Sequence, residues 1–378
     1  MKKVLFIQRY LPHFRKEFFD GLKKSCEASN IHLDLVSSKI YGKDSGKIKE
    51  IDLEWGITVP LTIFQFLGQT FYWQKEVNQL GKYNLIILQQ SNRDLLNWFF
   101  LLFRKRHTNK LAFIGHGRNM QSSQSSLGNK IKRFFINQVD AWFAYNENVS
   151  KYLLENGVPN IKITSFDNTI DTKQLIDSYE SVTEDELRAL KEEMDILSDN
   201  IAIYCGGLYQ EKRLDFLIKS CHLIKKKVDD FHLVILGNGP ERNKVEQAAA
   251  MHTWIHYIGG KYDFFNKAKY FKISKILLNP GLVGLVILDS FATMTPLVTT
   301  NYPYHSPEIA YLKNRENGVM TENNIEAYSE NVIRILLQDH ELKNLENGCK
   351  KAREMYTMEN SISKFMNGIE RLLKTEIQ

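Results

Sequence analysis

The feature that most constrains this chain is a rhythm of short apolar runs separated by amphipathic segments. VLFIQ begins at 4, HLDLV at 32, LIIL at 85, LAFIG at 111 and AWFAY at 141. After position 200 the rhythm restarts, with IAIYCGG at 201, HLVILGNG at 232, IHYIGG at 255, KILLNPG at 275 and PLVTT at 296. Runs this short, rich in Val and Ile and closed by Gly, Asn or Pro, predict parallel strands joined by helical crossovers. Each series predicts its own doubly wound α/β sheet.

The length agrees with that division. Domains run to roughly 100 to 200 residues, so 378 residues with 43% hydrophobic content can bury two cores. Between the series lies DSYESVTEDELRALKEEMDILSDN, 177–200, strongly charged and helix-favouring, which reads as the connection. The expected organisation is a first domain over 1–170, a connection over 171–200 and a second domain over 201–359, with a final helix over 360–378 packing back on the first.

In doubly wound sheets ligands bind beyond the carboxyl ends of the strands, so the loops after the apolar runs should carry the chemistry. YCGGLYQEKRLDFLI, 204–218, is a strand, the pair Gly206 and Gly207, then a helix opening with Lys212 and Arg213. Glycines let backbone approach a ligand, and cations at a helix start reinforce its positive pole, which suits a phosphate or diphosphate. A glycine turn beside solvated cations explains the same residues. HLVILGNGPERNKVEQ, 232–247, repeats the design with Gly237 and Gly239, and here a purely structural turn is an equal reading.

NPGLVGLVILDSFATMTPLVTT, from 279, is the most informative stretch. Gly281 and Gly284 precede LVILDSFA, where Leu285, Leu288 and Ala292 are spaced to bury one helical face. Exposed amides over 281 to 285, including Leu282 and Val283, would meet an anion or a sugar hydroxyl. Asp289, the lone carboxylate, would sit about one turn into the helix and accept from a diol. A buried helix explains the leucines but not both glycines.

Other classes are excluded or held open on similar grounds. A nicotinamide dehydrogenase needs G-x-G-x-x-G after the first strand, whereas RYLPHFRKEFFDG offers no glycine before Gly21. The net charge of +6 and pI near 8.8 suit anionic ligands or an anionic membrane surface, but the surplus is too diffuse for nucleic acid. Cys26, Cys205, Cys221 and Cys349 have no short-spaced pair and read as reduced thiols of a cytosolic protein. Met1 leads straight into KKVLFIQRY, so no signal peptide is expected. LLNWFFLLF, 95–103, is half the length of a membrane span of roughly 20 residues.

The three loops, in this order and spacing, resemble glycosyltransferase family 4, retaining enzymes of the GT-B fold. Supporting segments are DNTID at 167–171, similar to the family's Asn-Gly-Val-Asp turn, HSPEI at 305–309 and ENGV at 316–319. The opening IQRYLPHFRKEFFDGL and GHGRN at 115–119 resemble a branch that builds bacterial capsule or O-antigen polysaccharide. The match is best over 201–320.

The resemblance implies two Rossmann-like domains facing across a cleft, with the second binding a nucleotide-sugar, UDP-linked by family frequency. It implies catalytic parts for His116, Lys212 and Arg213: Lys212 on the diphosphate, His116 orienting the sugar and stabilising developing positive charge. The family's Arg falls on Gly207, so either Arg213 supplies the second cation or the diphosphate is held less firmly. Its Glu-x7-Glu pair falls on Gly281 and Asp289, leaving Asp289 as ribose anchor and no side chain for the sugar. Donor contacts would come from Gly206, Gly207, Gly237, Gly239 and Gly281 through Leu285, with base selectivity near Tyr257 to Lys261.

No Asp-x-Asp triplet ends a strand, so metal independence is expected, with no cofactor beyond the substrate. The acceptor implied is a saccharide, lipid-linked, which raises contact with the inner face of the plasma membrane. Candidate surfaces are LLNWFFLLFRKRH, 95–107, and NKIKRFFINQ, 129–138, of which the second fits an interfacial helix better. A sugar-nucleotide epimerase of the same fold, or a non-catalytic nucleotide-sugar-binding subunit, remains open.

Overall fold

The computed structural model describes residues 1–39, 51–117, 135–260 and 263–374. The chain divides into two compact units, one of Met1–Asp171 with Met358–Gln378, the other of Thr172–Thr357. Residues 118 and 119 of the GHGRN segment, 129–134 of the second candidate surface, and Lys261 lie outside the described residues.

In the first unit the strands are β1 (Lys2–Ile7), β2 (Ile31–Ser37), β3 (Ile57–Thr58), β4 (Leu61–Phe66), β5 (Gln69–Gln74), β6 (Tyr83–Gln89), β7 (Thr108–Gly115), β8 (Ala141–Ala144) and β9 (Ile163–Ser165). Seven form a parallel sheet in the order β3-β2-β1-β6-β7-β8-β9, and β4 and β5 make a separate antiparallel hairpin. The central strands are apolar on both faces because helices cover both. Helix Lys16–Ala28 turns Phe18, Phe19, Leu22 and Cys26 inward. The C-terminal helix Met358–Lys374 contributes Phe365, stacked on Phe143 at 4.0 Å and edge-on to Phe18 at 5.4 Å.

The second unit holds β10 (Ile201–Cys205), β11 (His232–Leu236), β12 (Ile255–Gly259), β13 (Ile276–Leu278), β14 (Leu297–Thr300) and β15 (Gly318–Thr321), parallel in the order β12-β11-β10-β13-β14-β15. Strand order reverses between β10 and β13, and the loops leaving these two strands are those singled out in the sequence. Residues 171–200, read as a connection, fold largely as helices Lys173–Ser181 and Glu184–Glu193 inside this unit. Thr183 and Glu186 form a capping box, and Lys272 Nζ donates to the carbonyls of Tyr179 (3.0 Å) and Val182 (2.8 Å), docking the pair on helix Phe264–Lys272.

Candidate functional site

Open α/β sheets bind ligands where strand order reverses, and in the second unit that point is closed below by tightly packed glycines. A Cβ on Gly281 would stand 2.3 Å from the Glu211 carbonyl oxygen and 2.6 Å from the Lys212 carbonyl carbon. One on Gly237 would stand 2.0 Å from the Gly206 carbonyl oxygen, and one on Gly239 2.4 Å from that of Leu208. Backbone hydrogen bonds join the same loops: Leu282 N to Glu211 O (2.8 Å), Leu208 N to Asn238 O (3.0 Å) and Glu241 N to Leu208 O (2.9 Å). The glycines are therefore required by backbone contact between loops. The position matching the family's first Glu cannot hold any side chain without moving the Glu211–Lys212 backbone.

Lys212 ends the short turn Gln210–Lys212 and is 5% exposed. Its Nζ donates to the Leu282 carbonyl, which also accepts from Asn279 Nδ2 at 3.3 Å. Burial pushes the ammonium down to about 8. One of its three donors is thus committed, leaving a poised, poorly hydrated cation at the floor of the site. Gly207, where the family has Arg, is bare, and the Tyr209 ring stands 2.5 Å from where its Cβ would be.

Asp289, 8% exposed, lies in helix Val286–Ala292 and pairs with Lys267 at 2.7 Å. Burial opposes the Lys267 charge, yet Asp289 outweighs it and holds the ammonium above its ordinary pKa. Cys205, at the end of β10, feels Lys267, Asp289 and Lys212, but burial pushes its thiol up to about 11, so it stays protonated. Lys267 escapes sequence reading because FFNKAKYFK contains three lysines at helical spacing and nothing marks which one turns inward.

The expectation of exposed amides over 281 to 285 needs correction at two positions. Leu282 N is taken by Glu211, and Val283 N donates to His305 Nδ1 at 3.0 Å. His305 Nε2 in turn donates to Thr300 O at 2.8 Å, so the ring is a neutral clasp, and burial lowers its pKa. Half-buried Gly284 and Leu285 carry amides with no protein acceptor among the described residues. HSPEI thus holds the donor loop in shape through His305 and Ser306, whose amide donates to Val283 O at 2.9 Å.

Arg213 takes a left-handed backbone, φ 57°, that turns its guanidinium aside. It donates to Pro280 O at 3.3 Å and to Asn323, and lies 4.3 Å over the Phe216 ring. Lys212, Asp289 and the three glycine loops come together, while Arg213 braces the loop from outside. His116 belongs to the first unit, just past β7, edge-on to Tyr145 at 4.2 Å. The Tyr145 hydroxyl accepts from buried Arg15 at 3.3 Å, another residue the sequence did not single out. Among the described residues, no three or more His, Cys, Asp or Glu are grouped to hold a metal ion. No described helix is long and apolar enough to cross a membrane.

Residues 188–354 match the family model described as glycosyl transferases group 1. The second unit carries a glycosyl transferases group 1 domain. A curated relative from Haemophilus influenzae, an uncharacterized glycosyltransferase, is 28% identical over 138 residues, which cover 34% of this chain and 37% of the relative. Thus only about a third of that relative is matched. Among solved structures, a glycosyltransferase from Rickettsia africae aligns over 100% of both chains with TM-score 0.69 and 15% identity. HepE of Anabaena, solved in complex with UDP, aligns over 98% of this chain and 100% of its own, with TM-score 0.71 and 12% identity. The fold is that of the GT-B glycosyltransferases, as expected from the sequence.

Proposed function

We propose that this protein is a retaining glycosyltransferase of family 4 that moves a sugar from UDP to a saccharide acceptor, lipid-linked, in the building of a bacterial surface polysaccharide. The observation that carries the reading is the convergence of a buried Lys212 ammonium and the Asp289 carboxylate at the reversal point of the second sheet. UDP in the HepE structure supports the choice of base.

In this reading the free donors of Lys212 and the amides of Gly284 and Leu285 receive the diphosphate, and Asp289 accepts from the ribose. Lys212 stabilises the charge that develops on the leaving diphosphate, which takes the acceptor proton on the same face of the sugar. With no side chain possible at Gly281, sugar orientation falls to main chain and to His116. No metal is assigned a step. The chain would act in the cytoplasm, on the inner face of the plasma membrane.

The deciding experiment incubates the purified chain with UDP-sugars and a crude lipid-linked acceptor, with and without chelator, and analyses the products. Transfer with retained anomeric configuration is expected, and chelator should not abolish it. Epimerised or hydrolysed donor without acceptor would replace the reading by an epimerase. UDP binding without any turnover would replace it by a non-catalytic subunit.

A further inference from the structure

The hairpin of β4 and β5 stands apart from the seven-stranded sheet and turns through two residues, Leu67 and Gly68, with φ of 47° and 72°. Two consecutive positive φ values define the hairpin turn that favours Asn-Gly, because a branched side chain is strained there. Here the strained position is filled by leucine, 85% exposed. Beside it Phe66 is 65% exposed, with Ile63 and Phe64 also uncovered on the two faces of the ribbon. Neither local backbone preference nor packing explains an apolar tip of this kind, and an isolated ribbon gains little stability by itself. Strain held where nothing in the fold requires it points to a task.

The base of the hairpin is firmly attached. Arg9 lies 3.8 Å over Tyr72, and Trp73 meets Phe99 of helix Leu95–His107 edge-on at 5.8 Å. From Phe99 the aromatic contact continues to exposed Phe103 at 5.3 Å, next to Leu102, which is 75% exposed. Neither the hairpin nor this helix contains an acidic residue, whereas exposed Lys75, Arg93, Lys105 and Arg106 border them. Apolar and aromatic tips flanked by charge of one sign match the boundary of an anionic bilayer, where rings sit at headgroup depth and each nearby cation adds attraction.

We infer that the β4–β5 tip, with the Leu102–Phe103 end of helix Leu95–His107, dips into an anionic lipid surface. The tip is a projection rather than a groove, so it suits a fluid apolar phase better than a rigid protein pocket. The inference is independent of the reaction proposed above, since it is read without nucleotide or acceptor.

The full chain is floated with vesicles of phosphatidylcholine plus phosphatidylglycerol and with vesicles of phosphatidylcholine alone. Wild type should rise with the anionic vesicles and bind the neutral ones far more weakly. The pair Phe66→Ser with Leu67→Asn should lower partition at least about tenfold, while Asn in the turn keeps the melting temperature at or above wild type. Lys105→Glu with Arg106→Glu should weaken binding to anionic vesicles alone. Wild type that ignores anionic vesicles, or a folded tip variant that binds as wild type does, overturns the inference. So does a dimer seen by light scattering that the tip variant dissolves, because the tip would then cover a second copy of the chain.

Discussion

Lys267 Nζ stands 2.7 Å from Asp289 Oδ2, and both side chains are largely buried. The pair ties helix Phe264–Lys272 to the start of helix Val286–Ala292, directly beside the end of β10. It sets the carboxylate's position before any ligand arrives.

Breaking this pair from one side should be costly. Asp289→Asn or Lys267→Met leaves a buried charge uncompensated and should destabilise the second unit by about 3 kcal/mol. The double variant Lys267→Met with Asp289→Leu should recover most of that stability in urea unfolding, yet bind UDP no better than Asp289→Asn in calorimetry. Full recovery of UDP affinity in the double variant would remove Asp289 from the donor site.

Gly281 and Gly284 should respond oppositely to the same change. Gly281→Ala forces Cβ into the Glu211 and Lys212 backbone and should cost about 1–3 kcal/mol. At Gly284 the nearest atom to a new Cβ is Ser306 Oγ at 3.4 Å, so Gly284→Ala should be tolerated. Thermal unfolding of both variants checks the contrast. Gly281→Glu should be worse than alanine rather than a repair.

Lys212→Ala should lower turnover by about 2–4 kcal/mol of transition-state stabilisation. Because burial sets the ammonium near 8, UDP affinity of the wild type should weaken as pH rises through that value. Lys212→Arg, charged throughout, should flatten the profile even if its affinity is lower. A wild-type profile flat between pH 7 and about 10 would contradict this role.

Acid should destabilise the second unit through paired histidines. His232 Nδ1 lies 2.9 Å from His256 Nε2, and burial together with His232 lowers His256 to about 4. Both rings are neutral in the folded chain, with pKa values depressed below those of the unfolded state. Their contribution is complete above the unfolded pKa of about 6.5 and is lost as pH falls through the folded value, since the unfolded chain then binds more protons. Urea midpoints measured stepwise across this window should fall, and His256→Gln should reduce the slope.

The ten apolar runs all fall on strands, because buried parallel strands leave a continuous apolar signature that survives without context. The short strands β3, β9 and β15 and the hairpin do not, since Leu67 occupies the place where Asn would announce a turn. Asp289 was legible as the one carboxylate in an apolar stretch. Its partner lies 22 positions earlier among similar lysines, so only the fold reveals it. The amides of Leu282 and Val283 were misread for a related reason: their acceptors, Glu211 and His305, are distant in sequence.

The glycine contacts beneath the site carry an evolutionary consequence. Where Gly237, Gly239 and Gly281 each abut another loop's backbone at less than the width of a methyl group, no one of them can be exchanged gradually. The floor is inherited as a block. Descendants of this chain that acquire a different donor would have to change the walls, at positions such as Tyr209, Lys267 and His305, while the foundation stays as it is.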